Sequence, residues 1–318
     1  MIVDNAEQIK RNAEAPSLSP QQAQPAVNAI SMQSPEPEEK PVNTAAEPQK
    51  AMGPNVAAGK SDAKHGRIIS IVSVKGGVGK TTIASNLSAL ISKEFRQRVL
   101  LVDGDLRMPA VGFHLNILDP EITLHDVLKG AFPPEQAVYV HEHGLHVIPG
   151  SLSDMPVSSK TAKDAVIALA AKYDWVIIDT MPCVDEDAKN LISASDEMLI
   201  VCTPDMPGVT ASLKAVKLSA ELKLVVRGAV LNRVRGKDYE LGVSEIEETL
   251  GVPVLAVIPE DPQVLASLSE RRPVVAYAPA SPASREFERL AAAITGGKGK
   301  DWGKAVPLAE TLRVLLRR

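Results

Sequence analysis

The segment from Ile68 to Leu87, IISIVSVKGGVGKTTIASNL, restricts the fold of this chain more than any other stretch. A run of aliphatic residues ends at a glycine-rich turn, and a pattern of spaced apolar residues follows it. The run predicts a buried strand, and the spaced pattern predicts a helix. Glycines let the backbone approach a bound anion closely, and the N–H groups at a helix start point toward it. The segment therefore predicts a strand–turn–helix unit that binds phosphate.

Apolar runs and helical patterns alternate along the chain from Arg67 onward. Most of the runs are continuous in Val, Ile and Leu, which is typical of strands that are covered on both faces. Alternating strands and helices predict an α/β fold, a mostly parallel β-sheet with helices on both faces. The predicted strands span residues 67–74, 98–103, 145–149, 175–179, 197–203, 224–232 and 252–259. The predicted helices span residues 80–93, 161–172, 186–194, 209–222, 244–250 and 281–294.

Composition divides the chain into three parts. Residues 1–65 are rich in Pro, Gln, Glu, Ala and Ser and lack aromatic residues, so they predict a disordered tail. The alternating domain spans residues 66–296. Residues 297–318 predict a basic linker followed by an amphipathic helix that begins near Pro307. One face of this helix carries Leu308, Ala309, Leu312, Leu315 and Leu316, and the other carries Glu310, Arg313, Arg317 and Arg318.

Charge and cysteine content argue against several classes of protein. The formal net charge of −4 gives no general basic field, which argues against nucleic acid as a partner. The two cysteines, Cys183 and Cys202, form no CxxC pair and indicate neither a zinc site nor a disulfide framework. No apolar stretch approaches the ~20 residues of a membrane span, and the N-terminus lacks the apolar core of a secretory signal. These features predict a cytoplasmic protein.

The residue types in the glycine-rich turn match the chemistry of phosphate binding. Its glycines allow backbone N–H groups to point at the phosphates. Lys80, at the helix start, would reach the β- and γ-phosphates, and the Thr81 hydroxyl would meet Mg²⁺. The pattern therefore predicts ATP and Mg²⁺ as ligands. The predicted phosphate-binding residues are Gly76, Gly77, Val78, Gly79, Lys80, Thr81 and Thr82.

Carboxylates end two other predicted strands. VLLVDGDLRMP places Asp103 at the end of the second strand with Asp105 two residues later, and WVIIDT places Asp179 at the end of another. The carboxyl ends of parallel strands lie at one edge of a sheet, beside the phosphate-binding turn. Carboxylates there suit the Mg²⁺ shell and the orientation of an attacking water. On these grounds Thr81 and Asp103 are predicted to lie at the metal site.

The form of the turn carries a family resemblance. It reads KGGVGKT, and the first glycine of the usual G-x-x-x-x-G-K-[ST] pattern falls on Val74. This form resembles the deviant Walker A motif of the MinD/ParA family of ATPases, and the chain from Arg67 to Ile294 is similar to the MinD branch, especially its archaeal-type members. The resemblance implies a P-loop NTPase fold of the SIMIBI type. It also implies that Lys75 crosses a dimer interface to the partner's nucleotide, so that ATP holds a homodimer together.

The same resemblance implies roles for other residues. Asp105 matches the switch I aspartate that helps to activate the attacking water, and Asp179 matches the Walker B residue that holds Mg²⁺ through water. Asn232 matches the residue that reads the adenine edge, which the donor and acceptor of an amide can do. The loop of Pro259, Glu260 and Asp261 would line the base. The catalytic residues implied in this way are Lys75, Lys80 and Asp105.

Two positions depart from the family pattern. The usual D-[ST]-P-A-G after the Walker B strand reads DTMPCV here, so that Met181, Pro182 and Cys183 replace Pro, Ala and Gly. Cysteine lacks the freedom of glycine at positive φ, which predicts slow or differently gated hydrolysis. Ala211 stands where an acidic residue is common in the family, which weakens any expectation about partner docking on that helix.

The resemblance implies a MinD-like ATPase that dimerises on ATP binding and acts as a spatial switch, linked to a membrane or a partner, in cell division or in positioning cellular structures. Its C-terminal helix resembles the membrane-targeting helix of MinD-type proteins, which implies a peripheral position at the inner face of the cell membrane.

Three alternatives stay open on the sequence. A ParA-like partitioning ATPase would need a basic DNA surface, for which the local candidate is Lys214, Lys217, Lys223 and Arg227. A tyrosine-kinase-like P-loop protein shares the DGDLRMP segment, but it would need a C-terminal tyrosine cluster that this chain lacks. An ATP-binding scaffold that scarcely hydrolyses would follow from the altered DTMPCV segment.

Overall fold

A computed structural model of the chain describes residues 65–152, 157–182 and 185–297, without the side chain of His143. The predicted disordered tail, apart from residue 65, lies outside the described residues. So do Cys183 and the predicted C-terminal helix, whose segment begins after Gly297.

The described residues form one eight-stranded sheet with the order β3-β4-β2-β5-β1-β6-β7-β8. All neighbouring strands are parallel except β3 and β4, which are antiparallel at one edge. The strands are β1 (Arg67–Val72), β2 (Val99–Gly104), β3 (Tyr139–Val140), β4 (His146–Ile148), β5 (Trp175–Thr180), β6 (Glu197–Cys202), β7 (Val225–Val234) and β8 (Val254–Pro259). The central position of β1 places the turn that follows it in the middle of the carboxyl edge of the sheet.

Ten α-helices accompany these strands in the described part of the chain. They are α1 (Lys80–Lys93), α2 (Val111–His114), α3 (Leu124–Leu128), α4 (Ala162–Ala170), α5 (Glu186–Ile192), α6 (Met206–Leu222), α7 (Val243–Leu250), α8 (Pro262–Ser269), α9 (Val274–Tyr277) and α10 (Pro282–Thr295). None of the described helices is long and apolar enough to cross a bilayer.

The sheet divides the core into two sides, as the alternation of side chains along β1 shows. Ile69 and Ile71 pack in a cluster with α1 and α10, whereas Ile68 lies among residues of α3 and α4 on the other side. Val72 packs on that other side with residues of α5, α6 and α7. Both faces of each central strand are therefore buried, which is why these strands read as continuous apolar runs rather than as alternating ones. The prediction of a mostly parallel sheet with helices on both faces is confirmed.

Several short elements were missed by the sequence patterns, namely β3, α2, α3, α8 and α9. Each has two to eight residues, so hydrophobic periodicity over at most about two turns gives only a weak signal. The start of α6 was also placed wrongly, at residue 209, because periodicity marks only the apolar face. The Asp205 side chain accepts a hydrogen bond from the N–H of Gly208 and caps the helix, and Pro207 suits its first turn, so α6 begins at Met206.

We expect truncation of Phe287 to destabilise the domain strongly. Phe287 is fully buried in the cluster that joins α10 to α1 and the sheet. Phe287→Ala leaves a cavity and should lower the free energy of unfolding by about 3–5 kcal/mol, measured by urea denaturation. The matched control is Phe113→Ala, because Phe113 is 48% exposed and its truncation should cost less than about 1 kcal/mol. Equal losses for the two variants would contradict the assigned core.

Candidate nucleotide-binding site

The loop between β1 and α1, residues 73–79, forms a cradle for an anion. Gly77 and Gly79 have φ angles of +74° and +97°, in the left-handed region that favours glycine. Gly76 and Gly77 are exposed on the loop surface. Gly79 is the N-cap residue of α1 and supplies no side-chain hydrogen bond to the helix start. The first N–H groups of a 14-residue helix therefore face the loop, as phosphate binding requires.

The first two residues of α1 bring a cation and a hydroxyl to this cradle. Lys80 is the first residue of the helix and is only 7% exposed. Thr81 donates a hydrogen bond from its hydroxyl to Oδ2 of Asp179, at the end of β5, over 2.6 Å. This bond links the helix start to the neighbouring strand, so the predicted Mg²⁺ ligands Thr81 and Asp179 are in direct contact.

The side chain of Asn232, near the end of β7, holds the loop in place. Its Nδ2 donates a hydrogen bond to the carbonyl oxygen of Val78 over 2.7 Å. A Cβ atom added to Gly79 would lie 2.3 Å from the same Nδ2, so a side chain there would displace the Asn232 amide as well as strain the backbone at positive φ. Asn232 thus has a structural partner in the loop, in addition to the base-reading role that the resemblance implies for it.

Asp103 and Asp179 lie side by side because they are paired in the register of β2 and β5. Both are almost completely buried. Asp103 accepts a hydrogen bond from the N–H of Val111 over 2.9 Å. Burial, together with the charge of Asp179, raises the pKa of Asp103 well above its usual value. Burial likewise raises the pKa of Asp179 to about 7, and the charge of Asp105 adds to this, whereas Thr81 and Lys80 oppose it.

The buried carboxylates fit a divalent cation. Oδ1 of Asp179 is buried and has no hydrogen-bond partner among the described residues, although buried polar atoms are normally paired. A cation bound beside Thr81 would favour the charged carboxylates and compensate for their burial. Oxygen donors of this kind are those that Mg²⁺ prefers. The donor set and this buried oxygen atom therefore match the predicted Mg²⁺ site.

Asp105 lies in the turn after β2. Its Oδ1 accepts hydrogen bonds from the N–H groups of Arg107 and Met108, at 3.2 and 2.9 Å. Its Oδ2 accepts none among the described residues. The turn is also held by the Arg107 side chain, which lies 2.5 Å from Asp185 before α5. This ion pair connects the turn after β2 to the segment that follows β5, so the two loops flanking the cradle contact each other.

The second lysine of the loop, Lys75, points to a different part of the domain. Its Nζ lies 3.0 Å from Oδ1 of Asp205, which caps α6, and 3.5 Å from the Thr203 hydroxyl. The two charged side chains are 39% and 43% exposed. Burial raises the pKa of Asp205, but hydrogen bonds from Thr203 and Lys75 outweigh it, and the pKa lies below its usual value. Lys75 is therefore held by its own chain.

The loop predicted to line the base follows β8. Pro259 is the last residue of that strand, and Asp261 caps α8 by accepting a hydrogen bond from the N–H of Gln263. Glu260 forms a two-pronged ion pair with Arg235, which follows β7. The Arg235 guanidinium holds the pKa of Glu260 below its usual value. The carboxylates of both acidic residues are thus engaged within the fold.

Two residues of the site were missed by the sequence patterns. Asp205 was read only as part of the segment LIVCTPDMP, although an acidic residue before a proline-containing first turn is a helix-cap signal. Asn86 donates a hydrogen bond to the Thr82 carbonyl and accepts one from the N–H of Val275, which ties α1 to α9. A lone asparagine inside a helix gives no signal in the sequence, because its partner lies 189 positions away.

Comparisons with known proteins agree with this geometry. Residues 69–274 match the family described as the CobQ/CobB/MinD/ParA nucleotide binding domain. An uncharacterised ATP-binding protein of Methanocaldococcus jannaschii is 35% identical over 234 residues, which cover 72% of this chain and 88% of that protein.

Two solved structures are similar throughout the domain. The cell division ATPase MinD of Pyrococcus furiosus has 35% identity and a TM-score of 0.70, covering 73% of this chain and 99% of that one. The septum site-determining protein MinD of Pyrococcus horikoshii, complexed with Mg-ADP, has 33% identity and a TM-score of 0.69, and the match covers 72% of this chain and 95% of that one. The chain therefore belongs to the CobQ/CobB/MinD/ParA family of nucleotide-binding proteins, and within it is related to the MinD cell-division ATPases.

Proposed function

We propose that this chain is a MinD-like ATPase switch that binds ATP with Mg²⁺, dimerises on ATP and hydrolyses it to separate again. The proposal rests on one observation. Lys80 and Thr81 lie at the cradle, where Thr81 bonds to Asp179, whereas the Lys75 side chain forms an ion pair with Asp205. Two lysines so close in sequence but held by different partners suit two tasks. The relatedness to MinD ATPases supports the same function.

The cradle residues have complementary roles in binding ATP. The exposed loop N–H groups and the start of α1 bind the phosphates, and Lys80 neutralises part of their charge. Thr81, Asp179 and Asp103 are the residues that would hold Mg²⁺. When bound, Mg²⁺ supplies charge neutralisation at the phosphate oxygens. The amide of Asn232 and the loop at residues 259–261 bind the base.

Asp105 is proposed to orient the attacking water. The turn fixes its carboxylate through two backbone N–H groups that bond only Oδ1, so Oδ2 is left to accept a proton of the water. The ion pair between Arg107 and Asp185 keeps this turn against the segment after β5. Orientation of a water in line with the γ-phosphate is one of the two main contributions that a protein makes to phosphoryl transfer, and electrostatic stabilisation is the other.

Lys75 is proposed to complete the site of a second copy. An exposed ion pair such as Lys75–Asp205 is worth only about 0–1 kcal/mol, so the lysine can leave it at little cost. The triphosphate of a facing subunit offers a stronger partner for the same ammonium group. ATP would then hold two chains together until hydrolysis removes the γ-phosphate.

The output of the switch is proposed to be position at a membrane or on a protein partner, in cell division or in the placement of a cellular structure. The sequence of residues 307–318 predicts an amphipathic helix that would lie at an anionic membrane surface. One such helix binds weakly, but two that are joined by ATP-dependent dimerisation gain avidity. The protein would then be peripheral at the inner face of the membrane.

The primary test is ATP hydrolysis by the purified full chain. We expect Mg²⁺-dependent release of phosphate, lowered about 100-fold or more by Asp105→Ala. Lys80→Ala should weaken ATP binding by about 10- to 100-fold, because it removes a hydrogen bond to a charged group. Equal turnover for the parent and Asp105→Ala would favour a binding scaffold, and tyrosine labelling by ATP would favour a kinase-like protein.

Neutralising Lys75 should prevent dimerisation without preventing nucleotide binding. In an Asp105→Ala background, which blocks hydrolysis, the parent should double in mass with ATP and Mg²⁺ by light scattering. Adding Lys75→Ala should leave it monomeric, while ATP affinity changes less than about threefold, since the Lys75 side chain is held by Asp205 at the start of α6.

Two variants control for this result. Lys172→Ala removes an exposed lysine that also forms an ion pair, with Glu135 at 3.1 Å, and should leave dimerisation unchanged. Asp205→Asn keeps a capping side chain for α6 but removes the charge that holds Lys75, and should not prevent dimerisation. A Lys75→Ala variant that dimerises like the parent would refute the switch.

The buried Asp179 should make stability depend on pH when Mg²⁺ and nucleotide are absent. Its pKa is about 7 in the folded state against 3.8 for the free side chain, so the folded state binds the proton more tightly. Its contribution to stability is therefore full below about pH 4 and is lost as the pH rises through about 7. At about pH 8 in chelator, Asp179→Asn should be more stable than the parent by on the order of 2–4 kcal/mol in urea denaturation.

This difference should shrink toward about pH 4, and Mg²⁺ with ATP should stabilise the parent but not the variant. The control is Asp119→Asn, because Asp119 is exposed and its charge costs nothing to solvate. A variant that is less stable than the parent at about pH 8 without Mg²⁺ would contradict the assignment of a buried, proton-binding Asp179.

Loss of residues 307–318 should abolish binding to anionic vesicles in the presence of ATP and Mg²⁺, measured by co-sedimentation. The point variant Leu312→Glu should have the same effect because it puts a charge on the apolar face of the predicted helix. Glu310→Gln, on the opposite face, is the matched control and should bind as the parent does. Unchanged sedimentation after the deletion would exclude this segment as the membrane anchor.

A further inference from the structure

A groove of about 470 Å³ lies away from the nucleotide site, beside the C-terminal half of α1. Its wall on α1 begins at Ala89, nine residues and roughly 13 Å along the helix from Lys80. The other walls come from the loop after α2, the short helical turn after β3, the segment between α8 and α9, and α10. None of the residues assigned to ATP or Mg²⁺ lines it.

The floor of the groove is apolar and its rim is charged. Leu90, Leu115 and Val275 are buried at the floor, and Ala276 is partly buried beside them. The rim carries four carboxylates, of Glu94, Glu142, Glu270 and Glu288, and three cations, of Lys93, Arg271 and Arg272. An apolar floor with a charged rim is the form of a groove that takes the apolar face of an amphipathic helix.

We infer that the groove is the docking site of this chain's own C-terminal segment, residues 307–318. The described chain ends close to the C-terminal end of α1, whose last turn forms part of the groove wall. A Cβ atom on Gly297 would lie 2.7 Å from the ring of Phe95, which directly follows the groove residues Lys93 and Glu94. Glu288, on the groove wall, precedes the end of α10 by seven residues, or about 10 Å.

The length of the connection permits this docking. Nine residues, 298–306, separate the described chain from Pro307, and nine extended residues span up to about 30 Å. Twelve residues in the predicted helix would be about 18 Å long. A short tether also raises the effective concentration of the segment at the groove to the millimolar range, which favours it over a second chain.

The chemistry of the segment matches the groove. Its predicted apolar face carries Leu308, Leu312, Leu315 and Leu316, which suit the apolar floor. Its arginines, Arg313, Arg317 and Arg318, can pair with the rim carboxylates of Glu142 and Glu270, and Glu310 with Arg271 or Arg272. The docked leucines cannot also enter a membrane, so docking and membrane binding exclude each other. This inference goes beyond the proposed switch and does not depend on ATP hydrolysis.

Disulfide trapping in the full chain tests the inference. In a background with Cys183 and Cys202 changed to Ala, Ala276→Cys at the groove floor is combined with Leu312→Cys. We expect this pair to form an intramolecular disulfide, under mild oxidation at micromolar protein, at least about tenfold faster than Ala276→Cys with Arg313→Cys. The second pair has the same tether but places the thiol on the polar face of the predicted helix.

The second part of the test is a variant in which a large side chain fills the groove. Ala89→Trp should slow the Leu312 pair to the rate of the Arg313 pair, whereas Ala293→Trp, on the exposed side of α10, should not change it. Thermal unfolding of each variant checks that the domain stays folded. Equal rates for the two cysteine pairs, or a rate insensitive to Ala89→Trp, would overturn the inference. Disulfides between chains would overturn it in favour of a second copy as the occupant.

Discussion

The hydrogen bond from the Thr81 hydroxyl to Asp179 is the contact on which the site depends. It joins the first turn of α1 to the end of β5, so the helix that faces the phosphates is fixed to the strand that carries the buried carboxylate. The register of β2 and β5 then places Asp103 beside Asp179. Two buried carboxylates are costly without a cation, and this cost supports the proposal that Mg²⁺ binds here.

The two lysines of the loop illustrate how position decides role. Lys80 starts α1 and is buried at the cradle, where its charge opposes the raised pKa of Asp179. Lys75 comes before the glycines and extends to Asp205, at the start of α6, in an exposed pair. A buried charge is held firmly by its surroundings, whereas an exposed pair contributes little free energy and is easily exchanged for another partner. Only an exposed ion pair, such as that of Lys75 and Asp205, can take part in a reversible association.

The fold and the geometry of the glycine-rich loop were largely predictable because both leave local marks. Continuous apolar runs predicted the buried strands, and KGGVGKT predicted the turn, in which Gly77 and Gly79 have positive φ. The elements that were missed, such as α8 and α9, are short and are held by long-range contacts. The hydrogen bond between Asn86 and the N–H of Val275 is one of them. Asp205 carried a cap signal, but its pairing with Lys75, 130 positions earlier, carried none.

The sequence by itself determined the class of the domain and the glycine-rich turn before α1, because periodicity and glycine content act between neighbours in the chain. Only the tertiary structure decided which distant groups meet. It placed Asn232 under Val78, paired Lys75 with Asp205, and formed a groove from α1, α9 and α10 at the end of the described chain. These contacts depend on strand order and on side-chain direction across the sheet, which the residues near each position do not encode.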